Sequence, residues 1–256
     1  MKTPGELFEE LVQIFKKLRD PNGGCPWDLK QTHSSLKPYL IEESYETIDA
    51  IESAPEKLPE ELGDVLLQVM LHSQIGADDK RFSISDVITI LSEKMIKRHP
   101  HVFGTLEVKD SEGVLKNWEK IKQADRKDTE GILDGVPKSM PALLRSHRIG
   151  EKVARVNFDW DTAENIKEKV HEELTEFLQA SPNDRAHQEE EFGDLLFTLA
   201  QLARKMSFNS EDLLQRANQK FINRFKKVAA LAGADQANWQ RDKLEELWEQ
   251  VKSTER

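Results

Sequence analysis

Two acidic runs are where this sequence can do chemistry. Glu42-Glu43-Ser44-Tyr45-Glu46 is followed by Glu61-Leu62-Gly63-Asp64, and Glu172-Glu173-Leu174-Thr175-Glu176 by Glu191-Phe192-Gly193-Asp194. Residues three or four apart share one side of a helix. Glu42, Glu43 and Glu46 therefore put two or three carboxylates on one face, and Glu61 and Asp64 put two more on the next helix. A tight connection through Pro55 and Pro59 predicts that these helices are antiparallel neighbours whose acidic faces converge. Like charges gathered in this way repel unless a cation sits among them. Hard oxygen ligands of this kind suit Mg²⁺ or Mn²⁺, ions that keep several waters and carry substrate phosphates. A solvated acidic face is the plainer reading of a single run. It is disfavoured here because Leu40, Ile41 and Tyr45 flank the first run and Leu174 and Phe177 the second.

The second run is a copy of the first. All five carboxylates recur 130 positions later, as does the glycine, Gly63 becoming Gly193. Trp118-Glu119-Lys120-Ile121-Lys122 recurs at the same displacement as Trp248-Glu249-Gln250-Val251-Lys252. Lys94-Met95-Ile96-Lys97-Arg98 recurs at 126 as Lys220-Phe221-Ile222-Asn223-Arg224, which predicts one intervening loop four residues shorter. Two tandem repeats follow. The first spans 1–125 and the second 142–256, joined by a linker at 126–141 rich in charge, Gly and Pro.

The elements that must hold these residues read as helices throughout. Leu7, Leu11, Ile14, Phe15 and Leu18 form one stripe, ending at the turn residues Asp20-Pro21-Asn22-Gly23-Gly24. A second runs from Leu40 to Ile48, and a third from Leu62 to Ile75, stopping at Gly76. A fourth, from Val87 to Ile96, starts at an N-cap placed at Ser85 and stops before Pro100. Beyond the linker the pattern restarts with Leu143, Leu144, Ile149 and Val153. No segment alternates convincingly as a strand, and the predicted fold class is all-α.

Cations suited to phosphate oxygens accompany the carboxylates. Lys94 and Arg98 are four apart, as are Lys220 and Arg224, so each pair shares a helix face. Lys169 lies four residues before Glu173, on its face, whereas Tyr39 holds the matching place in the first repeat. Trp118 and Trp248 either pack in the core or stack on a nucleobase. His99 and His101 flank Pro100 and read as a helix-terminating turn rather than a metal site. Trp27 and Trp160 mark the same loop into the acidic helix of each repeat.

Composition sets the limits. The chain has 256 residues, 47 acidic against 37 basic, and a net charge of −10. Such a balance argues against a partner such as a nucleic-acid polymer or an anionic membrane, both of which need a basic surface. The ten repeated carboxylates equal the entire acidic excess. A lone cysteine, Cys25, rules out an internal disulfide and fits a reducing, cytoplasmic setting. The first residues lack an apolar signal core, and the most apolar stretch, Val65 to Leu71, is too short to span a bilayer.

E-E-x-x-E followed by E-x-x-D, together with Cys25-Pro26-Trp27-Asp28 and Lys97-Arg98-His99-Pro100-His101-Val102-Phe103-Gly104, resembles the MazG family of nucleoside triphosphate pyrophosphohydrolases. The resemblance covers nearly the whole chain and both repeats in order. It implies a four-helix-bundle-like unit that forms a homodimer and hydrolyses (d)NTPs to monophosphate and pyrophosphate with Mg²⁺. Broad base selectivity and a role in housecleaning or regulation of the nucleotide pool come with it. By the family pattern Glu173, Glu176, Glu191 and Asp194 are the metal ligands of the second repeat, with Glu43, Glu46, Glu61 and Asp64 as first-repeat counterparts. Glu42 and Glu172 are either ligands or water-orienting bases. The resemblance also assigns base stacking to Trp248 and hydrolysis to the second repeat, where Lys169 fits. His187 departs from the pattern, standing where the family can have a lysine; an imidazole holds phosphate less firmly at neutral pH. Two other readings compete: a regulatory metal- and nucleotide-binding protein with little turnover, and an inorganic pyrophosphatase, which the tryptophans disfavour.

Overall fold

In a computed structural model of the chain, the described residues are 1–111, 113–114, 117–118, 121, 131–234 and 239–255. Among them are α-helices and turns with no strand. Two compact units emerge, Met1–Arg126 and Lys127–Arg256. The start of the expected linker, 126–130, lies outside the described residues, as do Glu119, Lys120 and Lys122 of the first tryptophan motif.

The first unit contains α1 (Pro4–Leu18), the short α2 (Pro26–Lys30), α3 (Lys37–Ser53), α4 (Leu58–Asp78), α5 (Ile84–Arg98) and the single turn α6 (Pro100–Phe103). Thr3 opens α1 with a capping box: its side chain accepts from the Glu6 N–H while the Glu6 carboxylate receives the Thr3 N–H at 2.7 Å. A one-turn 3₁₀ segment, Pro55–Lys57, links α3 to α4, so the two acidic helices pack side by side as the prolines implied. The core is formed by Val12 and Phe15 of α1, Met70, Leu71 and Ile75 of α4, and Leu36. Each such side chain contributes about 1.5–3 kcal/mol when fully buried.

The second unit repeats the plan with α7 (Ala142–Ala154), α8 (Ala163–Gln179), α9 (Arg185–Lys205), α10 (Ser210–Ala232) and α11 (Arg241–Thr254). Helices α8 and α9 carry the second acidic run and pack on each other, α7 packs on α9, and α10 on α11. Gln201 is fully buried, donating to the Ser146 carbonyl at 2.7 Å and accepting from Arg204 Nε at 2.8 Å. Gly150 of α7 lets this happen, since a Cβ there would lie 1.8 Å from Gln201 Oε1.

Three boundaries differ from expectation. The N-cap of α5 is Ser83, not Ser85, because Asp86 stands three residues after Ser83 and completes a capping box with it. Helix α4 runs through Gly76, whose bare Cα seats the Phe82 ring: a Cβ there would meet the ring at 2.7 Å. The four-residue length difference is not confined to a loop. Beyond its motif aspartate α4 is three residues longer than α9, and only one residue of the difference lies in the loop that follows.

Candidate active site

Each acidic helix buries a stripe with a seven-residue period. Along α8 and its C-cap the stripe passes through Ile166, Glu173 and Ala180; in the first unit it passes through the N-cap Leu36 of α3, then Glu43 and Ala50. The four apolar residues are buried, as is Glu173, and Glu43 is half-buried. A carboxylate thus occupies a place that the helix period assigns to the core. Burying an ionised carboxylate is costly unless it is paired or holds a metal.

The partner helices supply the rest. Carboxylate oxygens of Glu43, Glu46 and Glu61 lie within 4.8 Å of one another, and those of Glu173, Glu176 and Glu191 do the same in the second unit. An octahedral Mg²⁺ with oxygens at about 2.1 Å spans at most ~4.2 Å between ligands. Adjacent ligands of such an ion lie only about 3.0 Å apart, so the oxygens of each set would draw closer around it. Asp64 and Asp194 are not among these oxygens, but each is felt there. Burial raises the Glu43 carboxyl above its ordinary value, with Asp64 the strongest charged contributor, followed by Glu46, Glu42 and Glu61. Burial likewise raises Glu191, reinforced by Glu176, Glu173 and Asp194 and opposed by His187.

Contacts between side chains and across to the neighbouring helix hold the helix pairs in register. In the first unit Thr47 Oγ1 donates to the Glu43 carbonyl at 2.8 Å and leans towards the Glu61 carbonyl at 3.4 Å. The same position in the second unit is Phe177, whose ring packs against Phe192 with centroids 5.2 Å apart. Both lie four residues after the inward glutamate, a spacing that was readable in the sequence. At the far end of α9, Asp159 takes Arg204 and Lys205, the latter at 3.1 Å. This contact ties the loop before α8 to the C-terminus of α9.

The proposed phosphate contacts divide. Lys169 Nζ sits 2.8 Å from Glu172 and 2.9 Å from Glu173, inside the second carboxylate set. Its hydrogen bonds with Glu172 and Glu173 push its pKa well above the lysine range. His187 Nδ1 is 3.3 Å from Glu191. Arg224 donates to Glu255 at 3.0 and 2.8 Å and lies over the Trp248 ring at 5.2 Å, so a phosphate reaching it competes with Glu255. Trp248 packs with Phe221 and with the buried Val228, Leu247 and Val251. Lys220 and Lys94 are exposed on α10 and α5. Arg98 is half-buried at the end of α5, and the half-buried Trp118 meets the His99 ring edge-on at 5.6 Å. His99 joins α5 to α6 with Nδ1 2.6 Å from the Met95 carbonyl, the structured turn that was expected.

Known proteins are similar to this chain in sequence. A model of the MazG nucleotide pyrophosphohydrolase domain matches the chain twice, at residues 31–103 and 161–229. The chain is 47% identical to the nucleoside triphosphate pyrophosphohydrolase/pyrophosphatase MazG of Thermotoga maritima, over 98% of each chain. It is 40% identical to the nucleoside triphosphate pyrophosphohydrolase of Escherichia coli K12, over 97% of this chain and 98% of the other. The uncharacterised protein YabN of Bacillus subtilis is 46% identical over 97% of this chain, which covers 52% of YabN.

Proposed function

The chain belongs to the MazG nucleotide pyrophosphohydrolase family, and from that premise we propose a metal-dependent hydrolysis of nucleoside triphosphates centred on the second unit. The enzymatic class is that of its near full-length relatives, nucleoside triphosphate pyrophosphohydrolase. The observation that carries the assignment to the second unit is Lys169. There an ammonium group pairs with Glu172 and Glu173 of the carboxylate set, at the place where the first unit has Tyr39.

Glu173, Glu176 and Glu191 would hold Mg²⁺ or Mn²⁺, with Asp194 one turn further along α9. When bound, the metal offsets phosphate charge and lowers the pKa of water. The residues themselves do the positioning. Glu173, fixed on the inward stripe of α8, sets the depth of the site, and Glu191 closes it from α9. Exposed Glu172 would orient water, and Lys169 would donate to a phosphate oxygen. The α–β phosphoanhydride bond breaks, water supplies the hydroxyl, and monophosphate and pyrophosphate leave. The first unit keeps all its acidic residues but has Tyr39 where the second has Lys169, a composition suited to metal binding without turnover.

Association of two copies belongs to the same reading. Leu62, Leu66 and Val69 form an exposed stripe on α4, and their repeat mates Phe192, Leu196 and Leu199 form one on α9. A helical apolar stripe left in water at both repeat positions suits burial against a second copy. No helix among the described residues is long and apolar enough to cross a membrane. The nucleotide substrate and the free Cys25 fit a cytoplasmic setting.

Product analysis tests the function. With Mg²⁺, each dNTP should yield monophosphate and pyrophosphate at comparable rates, and pyrophosphate alone should survive. Diphosphate with orthophosphate, or cleavage of pyrophosphate, would overturn the assignment.

A further inference from the structure

Lys169 is bonded to two carboxylates, and one of them, Glu173, keeps only 8% of its side chain exposed. The bond to Glu173 measures 2.9 Å and that to Glu172 2.8 Å. The second cluster therefore already contains one positive charge on a short tether. At the corresponding place in the first cluster stands Tyr39, its ring edge-on to Trp27, and Glu43 is raised by burial and by like charges. The two clusters match in carboxylates, and four residues before the inward glutamate the second has a lysine where the first has a tyrosine.

We infer that Lys169 is a positioning residue, a tethered counter-ion that admits a divalent cation to the second cluster only together with a nucleotide. The inference rests on the metal-dependent reading above. A divalent ion binding Glu173 has to displace the ammonium from it, and an ammonium left beside that ion is repelled by it. Glu172 alone offers the displaced group a weaker, largely exposed partner. A triphosphate supplies new acceptors within reach of a lysine that is itself one-third exposed. Metal and nucleotide then favour each other, and by linkage each tightens the other equally. The arrangement keeps Glu173 satisfied when no substrate is present, and it couples metal loading to substrate arrival.

Mn²⁺ binding by the full chain, followed by its electron paramagnetic resonance signal, tests this. The measurement is made in a Glu43→Gln, Glu46→Gln background, so that only the second cluster reports. Affinity is read without nucleotide and with the α,β-methylene analogue of dATP, which cannot be cleaved at the α–β bond. The parent should bind bare Mn²⁺ weakly, and the analogue should tighten binding on the order of tenfold or more. Lys169→Met and Lys169→Gln should each bind bare Mn²⁺ several-fold more tightly and lose most of the analogue's effect. Unchanged or weaker bare-Mn²⁺ binding in both variants would overturn the counter-ion role while leaving the metal site standing. No Mn²⁺ binding by the parent, with or without analogue, would overturn the metal reading itself.

Discussion

Oxygens of Glu173 and Glu191, from two helices, lie within 4.8 Å of each other, and Glu43 and Glu61 repeat that relationship in the first unit. In each pair one glutamate comes from the inward stripe of the first acidic helix and the other from the opening turns of the next. The fold thus sets like charges face to face and leaves them to be reconciled by a cation. Several consequences can be measured.

The first concerns Glu43 and pH. Its folded pKa lies above the ordinary glutamate value of 4.5, so the folded chain binds more protons than the unfolded chain in the window above that value. Stability contributed at this site therefore falls as pH rises through the window, the reverse of a salt-bridged carboxylate. Without metal, Glu43→Gln should melt higher than wild type at pH 7, with the difference shrinking towards pH 4.5. Thermal melts in chelator across that range check it, and a variant less stable at pH 7 would contradict it.

Asp159 predicts the opposite sign. Burial opposes its ionisation, but hydrogen bonds from Arg204 and Lys205 outweigh burial and hold the carboxyl below its usual range. Its contribution is present above the ordinary aspartate pKa and is lost as pH falls through the lowered value. The pair is partly buried, between the exposed and fully buried cases, so Asp159→Asn should cost roughly 1–3 kcal/mol at pH 7. Urea denaturation should show that loss fading in acid.

Trp248 is a packing residue of α10 and α11 whatever else it does. It is half-buried against Phe221 and the cluster around Val228, and Arg224 covers its ring. Trp248→Ala should destabilise by roughly 2–4 kcal/mol, somewhat below the cost for a fully buried tryptophan. Denaturant unfolding of the variant measures this directly. A loss under 1 kcal/mol would remove the packing role.

Much of this was legible in the residues because helical periodicity and internal repetition are local or countable properties. The acidic pairs, the antiparallel packing of α3 on α4 and the restart at α7 all follow from spacing. Other features depended on distant partners. Gly76 reads as a stop signal until Phe82 is seen to need its space. Arg224 reads as a ready phosphate ligand until Glu255, thirty-one residues away, is found holding it. The division of labour between Thr47 and Phe177 is hidden for a similar reason. Both sit at the same repeat position, yet one clamps its helix pair by a hydroxyl and the other by a ring.

The claim at the centre of this account is that the second carboxylate set performs the turnover. Pyrophosphate release from dNTPs with Mg²⁺ should be compared in Glu176→Ala and Glu46→Ala, each checked for wild-type helical content. Loss of outer partners of a metal already costs about 10–100-fold, so loss of a ligand in the working set should cost at least ~100-fold. Glu176→Ala should therefore abolish release, while Glu46→Ala should retain most of it. Activity surviving in Glu176→Ala and vanishing in Glu46→Ala would contradict the account.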